Sequence, residues 1–188
     1  YSEIYRYAPP PGLMQVSEKL GADPNRVVTF HSLSKRSNLP GLRSGFAASG
    51  EKNIKQMKQL KAYSGAPIPE PLQHVSASVW SDEEHVVKNR KIYEKKYKIA
   101  DQIFDDFDGY FSPEAGFFLW MDVGDGEKVA LELWQNCGVR VLPGRYLAKD
   151  FNGQSPGDQF IRVAMVSELE ETKRGLSKIR EFLREKQV

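Results

Sequence analysis

The chain has 188 residues, 27 of them basic and 25 acidic, for a net charge of +2. That balance gives no electrostatic reason to expect nucleic acid or a membrane surface as partner, and no apolar run approaches the ~20 residues that cross a bilayer. Cys137 is the only cysteine, which excludes a disulfide framework and a thiolate metal cage and fits a reducing, cytoplasmic compartment. The sequence opens at Tyr1 with neither an initiator methionine nor a basic-plus-apolar leader, so we expect the C-terminal portion of a longer protein.

Residues 1–12, ending Ala8-Pro-Pro-Pro-Gly12, read as a strand end running into a loop, and Val16 to Leu20 as one helical turn. Asp23-Pro24 begins a turn. Val27-Val-Thr-Phe30 is short, β-rich and bounded by turn signals, which predicts a buried strand, and Arg43 to Ala48 predicts a second. Ile54, Met57, Leu60 and Lys61 step by three or four and predict a helix over 51–63. Prolines in Gly65–Pro71 remove backbone donors and fix φ, and a helix over 72–80 follows. Ser81 with Glu84 has capping-box spacing and opens a long helix over 82–107, with Val86, Val87, Tyr93, Tyr97, Ile99, Ala100, Ile103, Phe104 and Phe107 outlining one face. The lysines over 52–61 and 88–98 fall at helical spacings and read as solvated faces. After Asp108-Gly109 come a strand over 116–123, a helix over 129–136, strands over 139–142 and 160–166, and an amphipathic helix over 168–186. These predict a small α+β domain. Residues 1–80 hold too few strands for a stand-alone sheet core, so that part is expected to pair with further sequence or another chain.

Between the first two predicted strands lies His31-Ser-Leu-Ser-Lys35-Arg-Ser-Asn-Leu-Pro-Gly-Leu-Arg43-Ser-Gly45. One loop at a strand end, where ligands of α/β proteins sit, therefore holds the hydroxyls of Ser32 and Ser34, the amine of Lys35 and the guanidinium of Arg43 beyond a Pro40-Gly41 turn. The set suits a phosphate-bearing aldehyde: the amine forms an imine, and the hydroxyls and guanidinium take the phosphate. On the motif alone, an exposed loop lysine is the plain alternative. Arg162 stands mid-strand in Phe160-Ile-Arg-Val-Ala-Met-Val166, on a strand face shared with Phe160, Ala164 and Val166. A guanidinium among apolar side chains costs free energy unless it is paired. His31, His74 and His85 have no metal-like spacing, and His31, at a strand end beside the lysine loop, reads as a satisfied core or edge histidine rather than a ligand contact. Neither a glycine-rich dinucleotide loop nor a Ser-His-Asp order stands out.

The lysine stretch resembles the cofactor site of class I/II aminotransferases, which are fold-type I pyridoxal-phosphate enzymes. Tyr1-Ser-Glu-Ile-Tyr5, Pro113-Glu-Ala-Gly116-Phe-Phe-Leu-Trp120, Gly138-Val-Arg-Val-Leu-Pro-Gly144-Arg-Tyr-Leu147 and the Arg162 strand extend the resemblance over almost the whole chain. It implies an α/β fold. Residues 1–90 would be the C-terminal part of the large cofactor-binding domain, with a mixed, mostly parallel sheet and helices. A long helix over 82–107 would connect it to a small C-terminal α+β domain over 108–188, in which Phe118 and Trp120 are expected in the core and Gly116 at a close backbone approach.

The resemblance also implies pyridoxal 5'-phosphate as cofactor and Lys35 as the catalytic Schiff-base lysine. Ser32 and Arg43, with Ser34 beside them, become phosphate ligands. Tyr1, with Tyr5 as competing candidate, would bond the cofactor's phenolic oxygen, and Arg162 would clamp the substrate α-carboxylate. The implied reaction moves an amino group between an amino acid and a 2-oxo acid in a homodimer, for which the Gly65–Pro71 loop is a candidate contact. The family's ring-stacking residue, its pyridine-binding aspartate and its first glycine-rich phosphate loop are not in this chain, so the chain alone is expected to bind cofactor poorly and to turn over negligibly. Within the family, the lysine stretch and the Arg145-Tyr146 pair look most like succinyldiaminopimelate aminotransferases. Succinyldiaminopimelate and 2-oxoglutarate are then the candidate substrates, and Arg145 would contact a distal carboxylate. A fold-type I lyase or decarboxylase, or a non-catalytic aminotransferase-like effector-binding domain, would keep the same lysine loop.

Overall fold

In a computed structural model that describes residues 3–186, the chain divides into two units, Tyr1–Asn89 and Arg90–Val188. Tyr1, the expected partner of a phenolic oxygen, lies outside the described residues. In the first unit, β1 (Val28–Ser32) and β2 (Gly45–Ser49) pair antiparallel in a register running from Val28↔Ser49 to Ser32↔Gly45. Around them stand α1 (Leu13–Lys19), the one-turn α2 (Leu33–Arg36), α3 (Glu51–Tyr63) and α4 (Glu70–Ser81). The division falls within α5 (Glu84–Ile103).

The start of α5 differs from the capping box read in the sequence. Ser81 is still part of α4, with its hydroxyl on the Ala77 carbonyl at 3.0 Å, and the Asp82 carboxylate accepts the Glu84 N–H at 2.9 Å. A carboxylate two residues upstream outcompetes a hydroxyl already used by its own helix. Among the described apolar side chains of this unit, only Ile4, Leu33 and Val86 are buried. The stripe of α3 forms at the expected spacing yet stays mostly uncovered: Leu60 is 67% exposed. With Ile54, Met57, Phe30, Phe46 and Ala47 it bounds an open concavity of about 690 Å³.

In the second unit, β3 (Phe118–Asp122), β5 (Phe160–Ala164) and β4 (Leu142–Pro143) form a sheet in the order β3-β5-β4, both pairings antiparallel. The fold is α/β as expected, but the mostly parallel character of the large-domain sheet is not carried by the described strands. α6 (Gly126–Glu132) is N-capped by Asp125, whose carboxylate accepts the Lys128 N–H at 3.0 Å. A π-helical turn over Leu133–Cys137 follows, and Gly138 closes it in a left-handed conformation. α7 (Leu169–Lys186) ends the described chain. Strand alternation sends Leu119, Met121, Ile161 and Val163 into a core with Tyr97, Ala100 and Phe104 of α5 and Leu176, Ile179 and Leu183 of α7. Each Val, Leu, Ile, Met or Phe among them contributes about 1.5–3 kcal/mol.

The opposite sheet face is half-buried and holds Phe118, Trp120, Phe160 and Arg162, with Trp120 and Phe160 stacked at 5.3 Å. Phe118 and Trp120 therefore depart from the core placement expected of them, because the core period fell on their neighbours. Gly116 also differs: nothing lies near where its Cβ would stand, and the position needs glycine for its φ of +93°. Lys96 breaks the solvated-face reading of the α5 lysines, being only 4% exposed. No helix among the described residues is long and apolar enough to cross a membrane.

Candidate functional site

The lysine stretch is more ordered than the predicted loop. β1 runs two residues further than its apolar pattern, so that Ser32 is both the last strand residue and the N-cap of α2. Its Oγ accepts the Ser34 N–H at 3.1 Å and lies 2.9 Å from Ser34 Oγ and 3.2 Å from the Ser44 carbonyl. Lys35 sits on α2, exposed, between fully buried Leu33 and buried Arg36. Asn38 takes a left-handed φ of 53°, and the Leu39 N–H returns to the Leu33 carbonyl at 3.3 Å, closing the helix as C-terminal caps do.

Arg43 is also left-handed, φ 53° and ψ 35°, an arrangement that costs a non-glycine residue about 1–2 kcal/mol. Its side chain is exposed and donates to the Pro40 carbonyl at 2.8 Å. Ser32 pairs with Gly45 at the mouth of this excursion, and the Leu33 N–H meets the Ser44 carbonyl at 3.2 Å. Gly45 is required there, since a Cβ would come within 2.5 Å of the His31 carbonyl. The fold thus ties both ends of the 33–44 segment together and keeps Ser32, Ser34, Lys35 and Arg43 on one short stretch.

His31 is a satisfied edge residue, as its position suggested. Its Nδ1 accepts the Ser32 N–H at 3.0 Å, which leaves Nε2 to donate to Glu3 at 3.3 Å. Its ring packs edge-on to Phe46 and Trp80.

Three residues around Lys35 escaped sequence reasoning. Arg36 is 4% exposed and donates to the Val79 and Trp80 carbonyls at the end of α4, to Glu83, and toward Glu3 at 3.6 Å, with its guanidinium 5.1 Å from the Trp80 ring centroid. Ser37, also buried, lies 2.8 Å from His85 Nε2, and His85 Nδ1 lies 2.9 Å from Asp82 Oδ2. The His85 hydrogen bond, with the Glu84 N–H, holds the Asp82 carboxyl below the usual carboxylate range. A Ser-His-Asp chain therefore exists in space, although no local order announced it. Burial of Ser37 makes it a poor nucleophile candidate.

In the second unit, Arg162 lies on the half-buried sheet face with its guanidinium 4.2 Å from the Phe118 ring centroid, opposite Trp120 and Leu142 in register. It makes no ion pair among the described residues, so its planar fork is stacked on an aromatic face with no carboxylate opposite. Arg145 follows β4 in a 3₁₀ turn, half-exposed and 3.4 Å from Asp158. Gly124, Asp125 and Glu127 share with this pair a concavity of about 270 Å³. Tyr146 donates to Glu127 at 2.8 Å, a bond that raises the phenol above its ordinary value. No group of His, Cys, Asp and Glu among the described residues could hold a metal ion.

Ser32, Ser34, Lys35 and Arg43 thus lie on one short stretch of the first unit, and Arg162 lies on a strand of the second. The family model for aminotransferases of class I and II matches residues 5–179, and the chain belongs to that family. It is similar to a solved aminotransferase of Neisseria meningitidis Z2491, with 36% identity and a TM-score of 0.92 over 98% of this chain and 48% of that one. It is 28% identical over 148 residues to 4-dedimethylamino-4-oxo-anhydrotetracycline transaminase OxyQ of Streptomyces rimosus, covering 78% of this chain and 40% of the relative. An LL-diaminopimelate aminotransferase of Dehalococcoides mccartyi is 25% identical over 160 residues, 82% of this chain and 40% of its own length. The chain spans less than half the length of each of these three.

Proposed function

We propose that the protein carrying this chain is a pyridoxal-phosphate-dependent aminotransferase, moving an amino group between an amino acid and a 2-oxo acid, and that this chain supplies its cofactor lysine and its carboxylate-binding arginine. One observation carries the reading: Lys35 stands exposed on a one-turn helix whose N-cap is Ser32, with Arg43 on the same closed excursion. The donor set fits the cofactor, since an amine, two hydroxyls and a guanidinium with spare N–H donors beside its Pro40 bond occupy one short segment. Pyridoxal phosphate, when bound, supplies the electron sink that acidifies the substrate Cα–H and carries the amino group between substrates.

Ser32, Ser34 and Arg43 bind the phosphate and fix its register on α2. Lys35 would hold the cofactor's aldehyde carbon, and its amine would move a proton at the substrate Cα. Arg162 takes the α-carboxylate bidentately, with Phe118 setting the plane of the fork. Tyr1 serves the phenolic oxygen. The substrate is an amino acid with an acidic far end, of the succinyldiaminopimelate type with 2-oxoglutarate as counterpart, met by Arg145. Its carboxylate must displace Asp158 from that guanidinium. The name of the Dehalococcoides relative supports a substrate of diaminopimelate type. The working enzyme is a cytoplasmic homodimer.

Borohydride reduction of the full-length protein with pyridoxal phosphate, followed by peptide mapping, tests the reading. We expect the pyridoxyl label on Lys35, and a label confined to any other lysine overturns it. Product analysis with an amino-acid panel separates amino transfer from lysis or decarboxylation.

A further inference from the structure

We propose that the Val79–His85 junction between α4 and α5 is the positioning device of Lys35, acting through Arg36 and Ser37. The inference rests on the reading of Lys35 as the cofactor lysine. α2 is only four residues long, and a single helical turn does not hold its shape by its own hydrogen bonds. The place of the Lys35 backbone therefore depends on what anchors the rest of the turn. Immediately after it in sequence, Arg36 and Ser37 are both buried and both bond into the same stretch.

Arg36 donates to two carbonyls at the end of α4, at 3.2 Å to Val79, which also accepts the Asp82 N–H, and at 3.5 Å to Trp80, and binds Glu83 as well. Ser37 is fixed by His85. Because ionised Asp82 can only accept, His85 Nδ1 carries the proton in the neutral ring, and Nε2 accepts the Ser37 hydroxyl. Asp82 therefore sets the direction of the whole chain of bonds. Trp80 extends the contact to the strands: its ring lies 5.0 Å from Phe46 and 5.1 Å from His31, and it carries the Arg36 guanidinium on its face. One junction thus holds the strand leading into α2, the strand leaving the Arg43 turn, and the helix bearing the amine.

The consequence is separable from phosphate binding. Ser32, Ser34 and Arg43 are fixed by bonds inside the 32–44 segment, whereas the amine's approach depends on the junction. In the full-length protein, the rate of borohydride-trapped labelling at Lys35 is measured against pyridoxal phosphate concentration for the unaltered protein and for Arg36→Met, Arg36→Lys and Ser37→Ala. We expect the limiting rate to fall about 100-fold in Arg36→Met, the scale of an ångström's misplacement, with the half-saturating concentration unchanged. Arg36→Lys should not restore it, because a point charge cannot span two carbonyls and a ring face. Ser37→Ala removes one hydroxyl, keeps the fold, and should slow the limiting rate about fivefold.

A limiting rate unchanged in Arg36→Met and Ser37→Ala overturns the inference alone. So does a loss confined to the half-saturating concentration, which would place the junction's action on phosphate binding. Absence of the label from Lys35 in the unaltered protein overturns the functional reading, and this inference with it.

Discussion

Replacing Lys96 by methionine probes the least expected charge in the molecule. Lys96 is 4% exposed, and its ammonium donates to the Met165 carbonyl at 2.8 Å and the Ser167 carbonyl at 2.7 Å, with the Tyr93 ring centroid 4.8 Å away. Those carbonyls lie just beyond β5, the strand that carries Arg162. Methionine fills similar volume but takes the Lys96 donor from the buried Met165 carbonyl, at about 1–3 kcal/mol, while the Ser167 carbonyl keeps the Thr172 hydroxyl at 3.0 Å. Relief of the buried charge offsets part of that, so we expect a net loss of about 1 kcal/mol, placed at the low end of the range because the two effects oppose. For a unit near 100 residues this lowers Tm by roughly 4–8 °C. Urea and thermal unfolding followed by circular dichroism would measure it, with exposed Lys95→Met as a control expected within about 0.5 kcal/mol of the parent. A Lys96→Met variant as stable as the control would refute the reasoning.

The pH dependence of the same pair has a definite sign. Burial pushes the Lys96 ammonium below its ordinary 10.5, with Glu168 opposing weakly. Between that lowered value and 10.5 the unfolded chain binds more protons than the folded one, so stability contributed by this group rises with pH there. Tyr93, raised by burial, acts oppositely above 10. The rise should therefore be read as the difference between the parent and Lys96→Met.

Other outcomes follow from single contacts. Gly45→Ala should destabilise the first unit by about 1–3 kcal/mol in thermal denaturation, since its Cβ meets backbone of the paired strand at 2.5 Å; an unchanged Tm would mean the strand pair gives way freely. Asp106 is held below 3.8 by the side-chain hydrogen bonds of Arg180 and Arg184. Its contribution is thus complete above that pH and disappears as pH falls through the lowered value, so the stability gap between parent and Asp106→Asn should close in acid titration. The 188-residue chain alone should show negligible transamination and weak pyridoxal phosphate binding by absorbance titration; measurable turnover would contradict the division of site residues proposed above.

The elements with a full repeat were legible from the sequence: α3, α5 and α7 follow apolar positions three and four apart, and their bounds fall within a few residues of the pattern. The Ser-Leu-Ser-Lys stretch and the strand around Arg162 stood out by residue type alone, as candidates for a phosphate, an aldehyde and a carboxylate. What the sequence could not contain is whatever depends on residues brought together over long separations. Arg36 meets Val79 and Trp80, Ser37 meets His85, and Lys96 meets Met165, pairs 43 to 69 positions apart that no local periodicity encodes. Burial reversed the reading of Lys96 for the same reason. A lysine in a charged helical run looks solvated until the carbonyls at a strand end are laid against it. Lys35 is written in the sequence, and the bonds that fix Arg36 and Ser37 beside it form only when the fold brings Val79, Trp80 and His85 to them.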